Sequence, residues 1–148
     1  MNLLINFEYL KIAGWFSFIA SALHIAVIIG GASWYRFFGA GENMAFLAEQ
    51  GSYQPAIITF CITLVLAVCG AYAWSGAGIL PTFPFLKIIL VLITAVYLIR
   101  GALGLCALFF SNHPQVSQKS SNFWIWSSLI CLVIGLTHLK GVLNKWWS

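Results

Sequence analysis

The chain has 148 residues, of which 61% are hydrophobic and 7% charged, whereas a soluble domain carries about 45–50% and about 25%. Water is thereby excluded as its main solvent, and no room is left for a soluble domain beside the apolar runs. The net charge of +4 is spread over seven basic and three acidic residues without a clustered basic face, so no nucleic-acid partner is expected.

Four apolar runs, at 12–31, 53–74, 85–110 and 122–141, are each long enough to cross a hydrocarbon core of about 30 Å as a helix. Lipid offers no partner to unpaired backbone, and the runs do not alternate as barrel strands would. The expected fold is all-α: a single domain, residues 1–148, forming an antiparallel four-transmembrane-helix bundle with an interfacial helix in the first loop.

The first run contains Ala20-Ser21-Ala22, which resembles a signal-peptide cleavage site, but Glu8 as well as Lys11 precedes it. It is expected to remain as span one. Along it, Ala13, Ser17, Ala20, Ser21 and His24 are small or polar at spacings of three and four, which is one face of a helix. Small residues let helices approach closely in lipid, so this face is expected to point inward.

The loop that follows is aromatic at Trp34-Tyr35-Arg36-Phe37-Phe38 and broken at Gly39-Ala40-Gly41. The segment from Glu42 to Gln50 then has the pattern of a short helix lying on the membrane, with Glu42, Ala45 and Glu49 on one face. Glu42 at its start favours the positive end of the helix dipole.

Span two carries Thr59, Thr63, Ala67, Gly70 and Ala71 on one face, span three Thr94, Tyr97, Gly101 and Gly104, and span four Ser128, Cys131, Gly135 and His138. A short turn with Gly76, Gly78, Pro81 and Pro84 joins spans two and three, and a polar loop from Ser111 to Ser121 joins spans three and four. Cys61, Cys69, Cys106 and Cys131 all lie inside apolar runs without C-x-x-C spacing, and read as small packing residues.

The stretch from Gly30 to Glu42, GGASWYRFFGAGE, followed by Tyr97-Leu98-Ile99-Arg100-Gly101, resembles a group of small, uncharacterised bacterial inner-membrane proteins of four helices. The resemblance implies a bacterial inner-membrane location and brings no activity with it.

Orientation follows from the basic residues near span ends. Lys11, Lys87, Lys140 and Lys145 fall on one side, Arg36 and Lys119 on the other, which predicts both termini in the cytoplasm. Trp34, Trp74, Trp124, Trp126, Trp146 and Trp147 fall near the predicted interfaces, where amphipathic rings prefer to sit.

Ionisable groups inside a span cost about 2.5–3.5 kcal/mol each on insertion scales, which singles out His24, Arg100 and His138. Helical rise places His24 about 10 Å and Arg100 about 15 Å below the outer boundary, with Thr59 and Tyr97 near the same layer. The expectation is an outward-facing pocket lined by His24, Arg36, Glu42, Glu49, Thr59, Tyr97 and Arg100. Because no acidic residue lies in any span, Arg100 is expected to pair with Glu42 or Glu49, with carbonyls or water as the alternative.

Such a pocket suits a small polar or amphipathic ligand or a lipid, since a guanidinium fork donates two parallel bonds to a carboxylate or phosphate. The competing reading is a buried polar network that only fixes helix register. Other open classes are an accessory subunit of a larger membrane complex and a transporter or channel, for which four helices would need a homo-oligomer. Catalytic readings lack support: there is no H-E-x-x-H and no Ser-His-Asp context. Haem between two histidines fails on depth, with His24 about 18 Å and His138 about 4 Å from the inner boundary. His113, beside Pro114, reads as a solvated loop residue. No metal or cofactor is expected.

Overall fold

A computed structural model describes residues 2–110 and 119–147, and every element in them is helical. Helix α1 spans Asn2–Phe37, α2 Glu42–Glu49, α3 Gln54–Gly76, α4 Leu86–Cys106 and α5 Ser121–Trp146, with a 3-10 turn at Ala107–Phe110 after α4. The loop holding His113 lies outside the described residues.

Four segments, Glu8–Phe37, Gln54–Gly76, Leu86–Phe110 and Ser121–Trp146, are long and apolar enough to cross a membrane. Most of their large apolar side chains point outward, as with Ile29 at 82% exposure and Val96 at 65%. In water that surface would be untenable; in lipid it is the ordinary exterior of a bundle. Spans one and four overrun the expected limits because polar and aromatic end residues continue the helices, with α1 extending to Phe37 instead of stopping at Gly31, whereas spans two and three keep within two residues of them.

Local chemistry sets the ends. Pro55 opens α3, where its missing N–H has no helical acceptor to lose. Ser120 caps α5 by accepting from the Phe123 N–H at 3.2 Å. Ser75 ties down the turn between α3 and α4, donating to the Pro81 carbonyl at 2.7 Å and accepting from the Phe83 N–H at 3.0 Å. Gly31, with φ of 64°, bends α1 in its last third, a conformation open to glycine and strained for other residues.

Neighbours follow from the small-residue faces. A side chain at Gly14 would strike Trp74, one at Gly101 would strike Leu132, one at Gly135 Leu98 and one at Gly141 Leu10. Accordingly α1 packs on α3 and α5, and α4 packs on α5 and α3. That leaves α1 and α4 diagonal to one another. Residue pairs run in opposite order along adjacent helices: Lys11 with Trp74, Ser21 with Thr63 and Tyr35 with Thr59 across α1 and α3.

Ala13, Ser17, Ser21, Thr59, Thr63, Gly70, Thr94, Tyr97, Gly101, Gly104, Ser128, Gly135 and His138 are all buried, as their spacing predicts. The largest apolar core joins Leu10, Ala73, Leu90, Tyr97, Ile134 and Val142 at one end. A second cluster, Val27, Tyr35 and Ala45, seats α2 against the far end of α1.

Candidate functional site

The seven residues expected to line one pocket are distributed over five places. Arg36, Glu42 and Glu49 form one ion-pair triad: the Arg36 guanidinium donates to Glu42 Oε1 at 2.6 Å and to Glu49 Oε1 at 2.5 Å. Gly39 and Gly41, with positive φ, turn the chain back so that α2 presents both carboxylates to an arginine six residues before its start. The hydrogen bonds to Arg36 hold both carboxyls below the usual glutamate range.

Thr59 lies apart from the triad, donating to the Tyr35 hydroxyl at 3.3 Å. Tyr97 is deeper, with its hydroxyl 3.0 Å from Ser17 Oγ and its ring 5.4 Å from that of His138. His24 is half-buried on α1, and its Nδ1 lies 2.7 Å from the Ala20 carbonyl. A carbonyl only accepts, so that nitrogen carries the hydrogen. A concavity around the last turn of α1 is lined by Ser33, Trp34, Phe37 and Phe38, none of which is among the seven.

Arg100 does not pair with Glu42 or Glu49. Arg36 takes both, because it shares their loop, whereas Arg100 stands on the helix diagonal to α1. The sequence has three acidic residues. Glu8 faces Lys11 at 3.8 Å and the other two face Arg36, so no carboxylate side chain remains for Arg100.

The surroundings of Arg100 come from α5 instead. Its Nη2 donates to Ser127 Oγ at 3.2 Å, and the guanidinium lies 5.4 Å from the centre of the Trp124 ring. Cation–π contact of this kind partly replaces lost water. Arg100 sits six residues before the end of α4, about 9 Å at helical rise, and Trp124 is in the first turn of α5. The guanidinium is thus drawn toward the start of α5, the direction in which a long basic side chain in a bilayer would snorkel.

Two polar atoms here are buried without a partner: Arg100 Nη1 and Ser128 Oγ. Both overlie Gly104, where an added Cβ would collide with each. A third buried orphan, His138 Nε2, lies in the core beside Tyr97, while its Nδ1 hydrogen goes to the Ile134 carbonyl at 3.0 Å. Among the described residues no group of three or more metal-ligating side chains assembles.

The sequence reading missed Ser127, Ser128 and Trp124 as surroundings of Arg100, and Lys119 as a second cation near them. One signal was available. Counting seven basic residues against three glutamates leaves cations over, and the spacing of Trp124, Ser127 and Ser128 puts them on one helical face.

Four apolar helices around an interior of small and polar residues mark this as a membrane protein, with an incompletely paired arginine where α4 meets the first turns of α5. Comparison with protein-family models, curated proteins and solved structures finds no match to this chain.

Proposed function

We propose that this is a small, non-enzymatic protein of the bacterial inner membrane, an antiparallel four-helix bundle that binds an anionic polar or amphipathic ligand through Arg100. In this reading α2 rests at the outer interface and both termini are cytoplasmic. Lys11, Lys87, Lys140 and Lys145 then occupy the cytoplasmic end with a single glutamate, consistent with retention of basic residues there.

The observation that carries the proposal is the unmatched guanidinium. A cation in an apolar helix is retained when something repays its desolvation, and Arg100 has one side-chain hydrogen bond and a buried donor to spare. A network that only fixed helix register would close on itself, as Ser17 with Tyr97 and Ser21 with the Thr63 carbonyl do. Transport through one copy has less support, since the glycine faces on α3, α4 and α5 are filled by Phe18, Leu132, Leu98 and Leu10.

Native mass spectrometry of the full chain extracted in mild detergent tests this reading. The wild type should retain a bound acidic mass, and Arg100→Gln should retain about a tenth as much or less. A wild type that flies bare, under conditions that preserve its fold, overturns the proposal.

The accessory-subunit reading draws on the aromatic concavity of Ser33, Trp34, Phe37 and Phe38, where Phe37 is 83% exposed. Co-purification of one partner at fixed stoichiometry, abolished by Phe37→Ser, would favour it over ligand binding.

A further inference from the structure

We infer that Arg100 and Lys119, both lying against Trp124 at the start of α5, form a binding site for the phosphate of a membrane phospholipid entering sideways from the bilayer. This rests on the ligand-binding reading above and names its ligand.

The geometry brings two cations to one ring. Arg100 lies 5.4 Å from the Trp124 ring centre, and Lys119 Nζ lies 5.7 Å from it and 4.7 Å from that of Phe123. Like charges held together in a half-buried place repel unless an anion lies between them. Lys119 shows the strain: burial, then the charge of Arg100, push its ammonium below the ordinary lysine value. All three glutamates are committed elsewhere, so the missing anion comes from outside the chain.

Hydrogen-bonding capacity favours phosphate. Arg100 Nη1 is a spare donor, Ser128 Oγ is fully buried and unpartnered beside it, and Ser127 Oγ is held at 3.2 Å by the other arm of the fork. A guanidinium, an ammonium and two hydroxyls offer more donors than the two coplanar oxygens of a carboxylate can use, and suit the several oxygens of a phosphate better.

The lipid source is argued from what flanks the site. Val96 and Leu103, one turn either side of Arg100 on the same face of α4, are 65% and 63% exposed, and Ile130, one turn below Ser127, is 52% exposed. These apolar surfaces lead from the cations into the hydrocarbon layer, where acyl chains would lie. A free phosphate would gain nothing from them.

Calorimetric titration of the detergent-purified full chain separates the cases. The probes are dihexanoyl-phosphatidylglycerol, the neutral dihexanoylglycerol, laurate and inorganic phosphate. The phosphatidylglycerol should bind at least about tenfold more tightly than each of the others. Arg100→Lys should weaken it about tenfold, by losing the fork, and Lys119→Gln about threefold or more, each with an unchanged circular-dichroism spectrum. Lys119→Gln leaves the spans untouched and serves where an Arg100 variant fails to fold.

Laurate binding as tightly as the phosphatidylglycerol overturns the phosphate assignment while leaving a ligand at Arg100. Inorganic phosphate binding as tightly overturns the lipid source. Full affinity in folded Lys119→Gln and Arg100→Lys overturns the location. No binding by the wild type to any probe, with a bound mass still seen on extraction, overturns this inference alone; no bound mass either overturns both.

Discussion

Ser17 Oγ and Tyr97 Oη lie 3.0 Å apart, joining α1 to α4 across the diagonal of the four helices. The two residues are separated by 80 positions in the chain, and both are buried. In lipid, apolar surface cannot hold helices together, so a hydrogen bond across the centre and the close packing around it select this arrangement.

Tyr97→Phe keeps the ring against His138 and removes only the hydroxyl. The expected loss is about 0.5–1.5 kcal/mol, read as a melting temperature a few degrees lower in detergent. Ser17→Ala should cost about the same and the double variant no more than either alone. Additive losses would show that the two hydroxyls act separately.

Gly101 is a contact of another kind. An added Cβ would sit 2.6 Å from Leu132 Cγ, so α4 and α5 touch through bare backbone there. Gly101→Val should destabilise by about 1–3 kcal/mol, the usual cost of overfilling a packed interior. Leu132→Ala in the same chain should recover part of it. Thermal unfolding followed by circular dichroism measures both, and a Gly101→Val protein as stable as the wild type would remove this interface from the fold.

Acid should release α2. Arg36 lowers the folded-state pKa of Glu42 and Glu49 by hydrogen bonding, so their contribution is present above the ordinary glutamate value of 4.5 and disappears as pH falls below it. Hydrogen-exchange protection at residues 42–49, corrected for the intrinsic rate at each pH, should be high at pH 6, lower at pH 3.5, and low at both in Arg36→Gln. Because the three side chains are substantially exposed, salt should reproduce part of the acid effect. Protection that ignores pH in the wild type would show that packing of Tyr35 and Ala45, not charge, seats the helix.

Orientation is open to labelling. In a chain whose four cysteines are replaced by alanine, Asn43→Cys on α2 should react with a membrane-impermeant maleimide applied from outside intact cells. Thr82→Cys, in the turn between α3 and α4, should react only after lysis. The reverse pattern would place the lysine-rich end outside, against the retention of basic residues on the cytoplasmic side.

Much of the fold was legible. The helices α3, α4 and α5 follow from runs whose length and apolarity match a bilayer, and the buried faces follow from Ala, Ser, Thr and Gly at spacings of three and four. The short helix from Glu42 was legible too, as was the shared face of Glu42, Ala45 and Glu49, which now proves to hold both carboxylates on Arg36 and Ala45 in the core. The extent of α1 was not: Gly30-Gly31 looks like a terminus, but the helix bends at Gly31 and resumes to Phe37.

The candidate site was legible as a residue and not as a place. Arg100 stood out because a cation among apolar neighbours is expensive wherever the helix lies. Its companions did not, because periodicity assigns each helix an inner face without saying which helix that face meets. His24 and Arg100 share a depth by helical rise, yet α1 and α4 lie on the diagonal, so equal depth gave no contact.

Solvent preference is a sum over single residues, and it survives any rearrangement of the helices; by itself the sequence therefore determined four segments long and apolar enough to cross a membrane, with an arginine inside the third. Partnership is a property of pairs in space. Only the tertiary structure decided that Arg36 would take both loop glutamates, that Tyr97 would reach Ser17, and that Arg100 would be left with Ser127, Trp124 and a buried Nη1 without a partner.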